Sequence, residues 1–291
     1  MRTRRAAPPV PVRKNQRHLT RAERRRFVEA VLELKRRGEY DEFVRMHAEF
    51  SVTDAEYRPR PAHMTPSFFP WHRVYLIEFE RSLQRIDPAV TVPYWDWTTD
   101  NTPAAALWGD DFLGGDGRLG DRQVMDGPFA HRHGNWRITS GIIDGRYLTR
   151  SFGRFGLPTK EDVDRALQEP VYDTAPWNST SRTGFRNHIE GWSAGGPQRW
   201  RNHNRVHRWI GGSMVGVTSP NDPVFWLHHS FIDLLWNRWQ RAHPKAGYLP
   251  REPLPRSDPQ HGRVFAFDEP MPPWGARPSE LMDHRGLYRY A

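Results

Sequence analysis

Seven histidines of this chain stand among tryptophans, phenylalanines and leucines, and a fold that buries imidazoles has to give them partners. They are His47, His63, His72, His203, His207, His228 and His229, out of fourteen in all. His203 and His207 are four apart in a stretch that reads as helix. That spacing puts both rings on one face, where they can chelate one ion. His228 and His229 are adjacent. Neighbours on a helix point about 100° apart, so only one of the two can face the same ion.

The donor set narrows the metal. The chain has no cysteine, which excludes disulfide frameworks, thiolate nucleophiles, zinc fingers and iron–sulfur clusters. No Glu-x-x-His pair of the di-iron bundles lies among these histidines. The residues between His203 and His207 are Asn204, Arg205 and Val206, without the glutamate that zinc proteases place there. An all-imidazole donor set on a helical scaffold suits copper.

Periodicity supplies the scaffold. Thr20 and Glu23 form a capping box ahead of Phe27, Ala30, Val31 and Leu34, a helix that should end near Gly38. A second helix is expected at about 40–50 and a third at about 67–86. The third carries Phe68, Trp71, Tyr75, Leu76, Phe79 and Leu83 on one stripe. Thr159 and Asp162 cap a short helix at about 160–168. His203–Trp209 reads as helix stopped by Gly211 and Gly212. Asn221-Asp222-Pro223 opens a last long helix to about 242. Residues 88–155 read as irregular, and 250–278, with eight prolines, as surface loop. With no internal repeat and no linker, 19–291 is expected to be one mainly α domain. Residues 1–18, rich in Arg and Pro, are expected to be a mobile basic arm.

The net charge of +9 is local. Residues 1–26 hold ten basic side chains and one acid, Glu23, and the rest of the chain balances. This reads as a solvated tail plus a helix face. A nucleic-acid arm would show affinity that falls steeply with salt. No run of about 18 apolar residues is present, so no membrane span is expected. No apolar stretch follows the first arginines, so the sequence shows no signal peptide and reads as cytoplasmic when synthesised.

Longer motifs carry a family resemblance over about residues 12–290. They are Val12-Arg13-Lys14-Asn15-Gln16, the Pro66–His72 stretch flanked by His63, Pro93-Tyr94-Trp95-Asp96-Trp97, Phe185–Trp192, His203–His207 and Ser219–His229. With these motifs the chain resembles the bacterial tyrosinases of the Streptomyces type, within the type 3 dicopper proteins. The resemblance implies a four-helix bundle core, long loops and few short strands. It implies two copper ions, one on His47, His63 and His72 and the other on His203, His207 and His229. His228 then stands behind the ligands. Tyr288-Arg289-Tyr290 is similar to the tyrosine motif that closes such cores, and no C-terminal lid is expected after it.

The implied chemistry uses O2 to ortho-hydroxylate monophenols and oxidise o-diphenols to o-quinones. A phenol with pKa about 10 is only about 0.1% phenolate at pH 7, a deficit of roughly 4 kcal/mol, so a base near the site should help. The resemblance points to a water held by Glu190 and Asn204. One departure bears on this: twelve residues, Gly191 to Asn202, separate Glu190 from His203, and close relatives have a shorter connection. Arg208, Met214, Gly216 and Val217 are expected at the substrate rim, with Ser51 making it more polar. Arg208 offers a guanidinium to a substrate carboxylate or to solvent. The alternatives are an o-aminophenol oxidase using the same centre and a reversible O2 carrier. The resemblance also raises a small helper protein that delivers copper and aids export. Of the others, His131, His133, His188, His243, His261 and His284 are expected to be structural or exposed.

Overall fold

The structure is a computed structural model that describes residues 10–140, 146–192 and 200–291. Helix α1 (Arg21–Arg36) begins at the expected capping box: Glu23 N–H donates to Thr20 Oγ1 at 3.2 Å and Thr20 N–H to Glu23 Oε2 at 2.8 Å. Its Phe27, Ala30, Val31 and Leu34 are buried. Gly38, with φ of 79°, makes the turn into α2 (Glu39–Phe50). Tyr40, Phe43, Val44 and His47 recur on α2 at spacings of three and four and form its buried face.

The two longest helices carry the core. Helix α3 (Phe68–Ile86) packs against α1 and against a late helix, Val224–Ala242. Phe79 and Trp226 stack across that seam, and Tyr75 lies 4.8 Å from Trp226, centroid to centroid. The short helices α4 (Lys160–Leu167), α5 (Phe185–Glu190) and α6 (Asn202–Ile210) complete the set, so Val224–Ala242 is α7. Helix α5 has no counterpart in the periodicity, because six residues make less than two turns. Helix α7 starts two residues later than expected. Asn221 closes a 3-10 turn, Pro223 stands at the N-cap, and Asp222 just before it accepts from Val224 N–H at 3.2 Å. The same carboxylate takes a bidentate, fully buried Arg150 at 2.8 and 2.9 Å, which pins the entry of α7.

The basic N-terminal segment is not a mobile arm over its second half. Val12–Arg13 (β1) pairs in parallel with Arg289–Tyr290 (β2), and Gln16 N–H and Tyr94 N–H exchange hydrogen bonds with Tyr94 and Lys14 carbonyls. The cause is Arg13. Its buried guanidinium meets Glu80 at 3.0 Å and stands 3.8 Å from Asp233. Asp233 also takes Arg73 at 2.6 Å and the hydroxyls of Tyr288 and Tyr290, each at 2.6 Å. A buried charge needs such partners, so this segment has to dock. Residues 1–9 of the expected arm lie outside the described residues.

The Pro-rich stretch 250–278 has no regular helix or strand until a 3-10 turn begins at Pro278, as expected, but part of it is core. Met271 is buried, and the Pro272 carbonyl accepts from the Trp71 indole at 2.9 Å. Among the described residues no helix is long and apolar enough to cross a membrane.

Candidate metal centre

Four helices and one loop bring the seven histidines into two adjoining groups. His47 lies in the last turn of α2, His63 in the loop after it and His72 in the second turn of α3. His203 and His207 share one face of α6, and His228 and His229 lie on α7. In each group the ligand-capable atoms are within 4.8 Å of one another: His47, His63 and His72 in one, His203, His207, His228 and His229 in the other. The groups touch, since the His72 and His229 rings stack with centroids 4.3 Å apart.

Hydrogen bonds fix which nitrogen faces inward. His47 Nδ1 donates to Val217 O at 2.6 Å, His72 Nδ1 to Phe68 O at 2.8 Å and His207 Nδ1 to Met214 O at 2.8 Å. His203 Nδ1 lies between Glu190 O (3.3 Å) and Asn204 Oδ1 (3.1 Å). A proton on Nδ1 leaves Nε2 bare. Yet His203 Nε2 is 3.1 Å from His207 Nε2 and 3.2 Å from His229 Nε2, and His63 Nε2 is 3.0 Å from His47 Nε2. Between His203 and His207, both with Nδ1 engaged, two bare lone pairs repel at that distance unless a cation sits among them. Imidazoles bound to one ion at about 2.0–2.1 Å bring their nitrogens to roughly this separation. His72 Nε2, buried and without a partner among the described residues, points the same way. The donor set therefore fits a pair of metal ions.

His228 differs. Its Nδ1 accepts from the Trp97 indole N–H at 3.2 Å, which puts the ring proton on Nε2, opposite to His47, His72, His203 and His207. A protonated Nε2 is no ligand.

Burial keeps the site neutral. It holds His47, His72, His203, His228 and His229 well below the usual imidazole range, and neighbouring histidines add to it. His207 is pushed down to about 4, chiefly by burial. Neutral imidazole is the ligating form.

Glu190 ends α5 fully buried. Its Oε1 accepts from Met64 N–H at 2.6 Å and the Trp192 indole at 2.9 Å, and lies 3.6 Å from His63 Nδ1. Its Oε2 takes Arg186 at 3.1 Å, and Asp173 holds the other side of that guanidinium at 2.7 and 3.0 Å. Burial alone would raise the Glu190 pKa, but His63 beside it, the Arg186 charge and the Met64 N–H outweigh it and keep it below the usual carboxylate range.

The long connection from Glu190 to His203 leaves the site in register. Arg201 N–H donates to Gly191 O at 3.1 Å, and the Trp192 and Trp200 rings meet edge to face at 5.4 Å. Gly191 has φ of 89°, and a Cβ there would stand 2.0 Å from Arg201 O, so only glycine allows this neck. Residues 193–199 of the connection lie outside the described residues.

A cavity of about 230 Å³ opens onto both groups. Asn204, Arg208, Gly216, Val217 and Ser51 line it. Asn204 Nδ2 is buried and has no partner among the described residues. Met214 is not in the lining. Its side chain turns into the core in the 3-10 turn Gly212–Met214, and only its carbonyl serves the site, by holding His207. Glu190 is not in the lining either; it stands beside His63. The walls include Met64, Trp192 and Trp200, which sequence reasoning had not placed there. Trp192 belongs to a quoted motif, but nothing in the sequence marked its side chain as a wall. Arg208 stacks on Trp200, 4.5 Å from the ring centre. Of the other described histidines, His243 meets Leu167 O at 2.8 Å, His261 Leu254 O at 2.6 Å and His284 Tyr288 O at 3.0 Å.

Residues 37–242 match the family described as the common central domain of tyrosinase. The chain is 52% identical over 285 residues to a tyrosinase of Streptomyces glaucescens, covering 97% of this chain and 99% of the relative. It is 44% identical over 311 residues to a grixazone synthase of Streptomyces griseus, again covering 97% and 99%. Among solved structures it resembles a polyphenol oxidase from Thermothelomyces thermophila, with a TM-score of 0.69 at 22% identity, covering 97% of this chain and 88% of that one.

Proposed function

This chain belongs to the tyrosinase family and is a type 3 copper phenol oxidase with a dinuclear copper centre, and from that premise we propose that it ortho-hydroxylates monophenols and oxidises o-diphenols to o-quinones. The convergence of bare Nε2 atoms in two touching groups carries the reading. His47, His63 and His72 hold one copper, and His203, His207 and His229 hold the other. His228 positions its neighbours from behind. The bound copper pair supplies O2 binding and the two-electron oxidation; a monophenol and O2 give an o-quinone and water.

The chain's residues bind the phenol and help it lose its proton. Val217, Trp192 and Met64 form the apolar walls, and Gly216 leaves the mouth open. Arg208 is the cation of the rim, suited to a substrate carboxylate. The unpartnered amide of Asn204 donates to a water in the cavity. The three donors around Glu190 keep it an anion, so its parts are to orient His63 and to polarise the cavity water that takes up the phenol's proton.

The test is optical. Protein loaded with two Cu(II) per chain and treated with hydrogen peroxide should develop an intense near-ultraviolet charge-transfer band, and p-cresol should then consume O2 and yield an o-quinone. Copper binding without the band overturns the shared centre. Turnover of o-aminophenol with none of p-cresol replaces the reaction with the aminophenol one.

A further inference from the structure

His47, His72, His203 and His207 have Nδ1 fixed by an oxygen at hydrogen-bond distance. His63 has none. Its Nδ1 faces Glu190 Oε1 at 3.6 Å, so its orientation depends on where that carboxylate is held. One donor to Oε1, Met64 N–H, sits next to His63 on the same loop and moves with it. Arg186 fixes the other oxygen. The donor that anchors Oε1 from outside the loop is the Trp192 indole, at 2.9 Å.

Trp192 is itself braced. Its backbone bridges to Trp200 and its ring packs edge to face on the Trp200 ring. Its ring also lines the cavity. An indole has one donor, and here it is spent on Glu190.

Building on the ligand assignment above, we propose that Trp192 is the positioning residue of the first triad. Its N–H holds Glu190 beside His63 while its ring is the wall on which the phenol packs, so one side chain ties substrate binding to the set of a metal ligand.

Trp192→Phe separates the two roles, since it keeps a ring and removes the donor. Supporting partners of a metal ligand typically change affinity or activity 10–100-fold. Relative to wild type, the variant should lose one of its two coppers to a competing chelator at least about tenfold faster. Its kcat for p-cresol should fall by a similar factor, with KM within about twofold. Glu190→Gln is the second arm. If Trp192 acts through Glu190, the double variant is no worse in copper retention than Glu190→Gln alone. Wild-type copper retention and kcat in Trp192→Phe overturn the proposal, as does a rise in KM alone or losses that add in the double variant. A wild-type protein that fails to hold two coppers would instead refute the assignment of the centre, so the two failures are distinguishable.

Discussion

The two histidine triads face one cavity but are held by different means. In the second, all three rings ride on helices, and α6 spacing alone brings His203 and His207 within 3.1 Å. In the first, one ring comes from a loop and depends on a buried chain of charges, Asp173–Arg186–Glu190, that arrives from the other half of the sequence. A helix supplies its own hydrogen bonds and so fixes a ligand locally. A loop ligand borrows its rigidity from tertiary contacts. The first triad should therefore be the one that responds to distant substitutions.

The largest effect should come from His203→Ala, because this ring's Nε2 meets both His207 and His229. Copper should fall to one per chain, with the near-ultraviolet band and phenol oxidation lost. Two retained coppers would break the assignment of the second triad. Asp173→Ala leaves Arg186 buried with Glu190 as its remaining anion and should destabilise the fold by about 3–5 kcal/mol, measured by denaturant unfolding. Copper retention by the first triad should suffer before the second. Glu190→Gln should lower p-cresol hydroxylation by roughly 10–100-fold and diphenol oxidation much less. Equal losses would remove the ionisation role.

A smaller, graded effect concerns pH. In the metal-free protein His207 has a pKa of about 4, against about 6.5 for an unfolded imidazole. Between those values the unfolded chain binds more protons, so stability is fully present above about 6.5 and is lost as pH falls toward 4. Burial depresses His47, His72, His203 and His229 in the same direction. Unfolding midpoints of chelator-treated protein from pH 7 to 4 should decline; flat midpoints would deny that these rings fold neutral. The smallest effect is expected for Met214→Leu. Only the Met214 carbonyl meets a ligand, and a volume-conserving swap should cost under about 1.5 kcal/mol and change p-cresol kcat less than twofold.

The sequence was most readable where interactions are local. The capping boxes at Thr20 and Thr159, the apolar stripe of α3 and the His203/His207 spacing each involve residues within a few turns, and each appears where expected. Helix α5 escaped because six residues carry no periodicity, although Glu190 hangs from it. The docking of residues 12–18 escaped because Arg13 reads as one more exposed base until Glu80 and Asp233 stand beside it. Met214 was misplaced because sequence locates a loop near the cavity but not the direction in which a 3-10 turn points a side chain.

What the sequence determined by itself is the chemistry. Without cysteine, and with imidazoles set in aromatic stretches at helical spacing, the chain was restricted to a nitrogen-liganded centre on helices, and its motifs named the family. The tertiary structure alone decided which nitrogen of each ring faces inward, that His228 turns its Nδ1 to Trp97, and that Glu190 stands beside His63 instead of lining the cavity. Those outcomes depend on hydrogen bonds between residues dozens of positions apart, as in Met64 to Glu190, and no local pattern encodes where such partners meet.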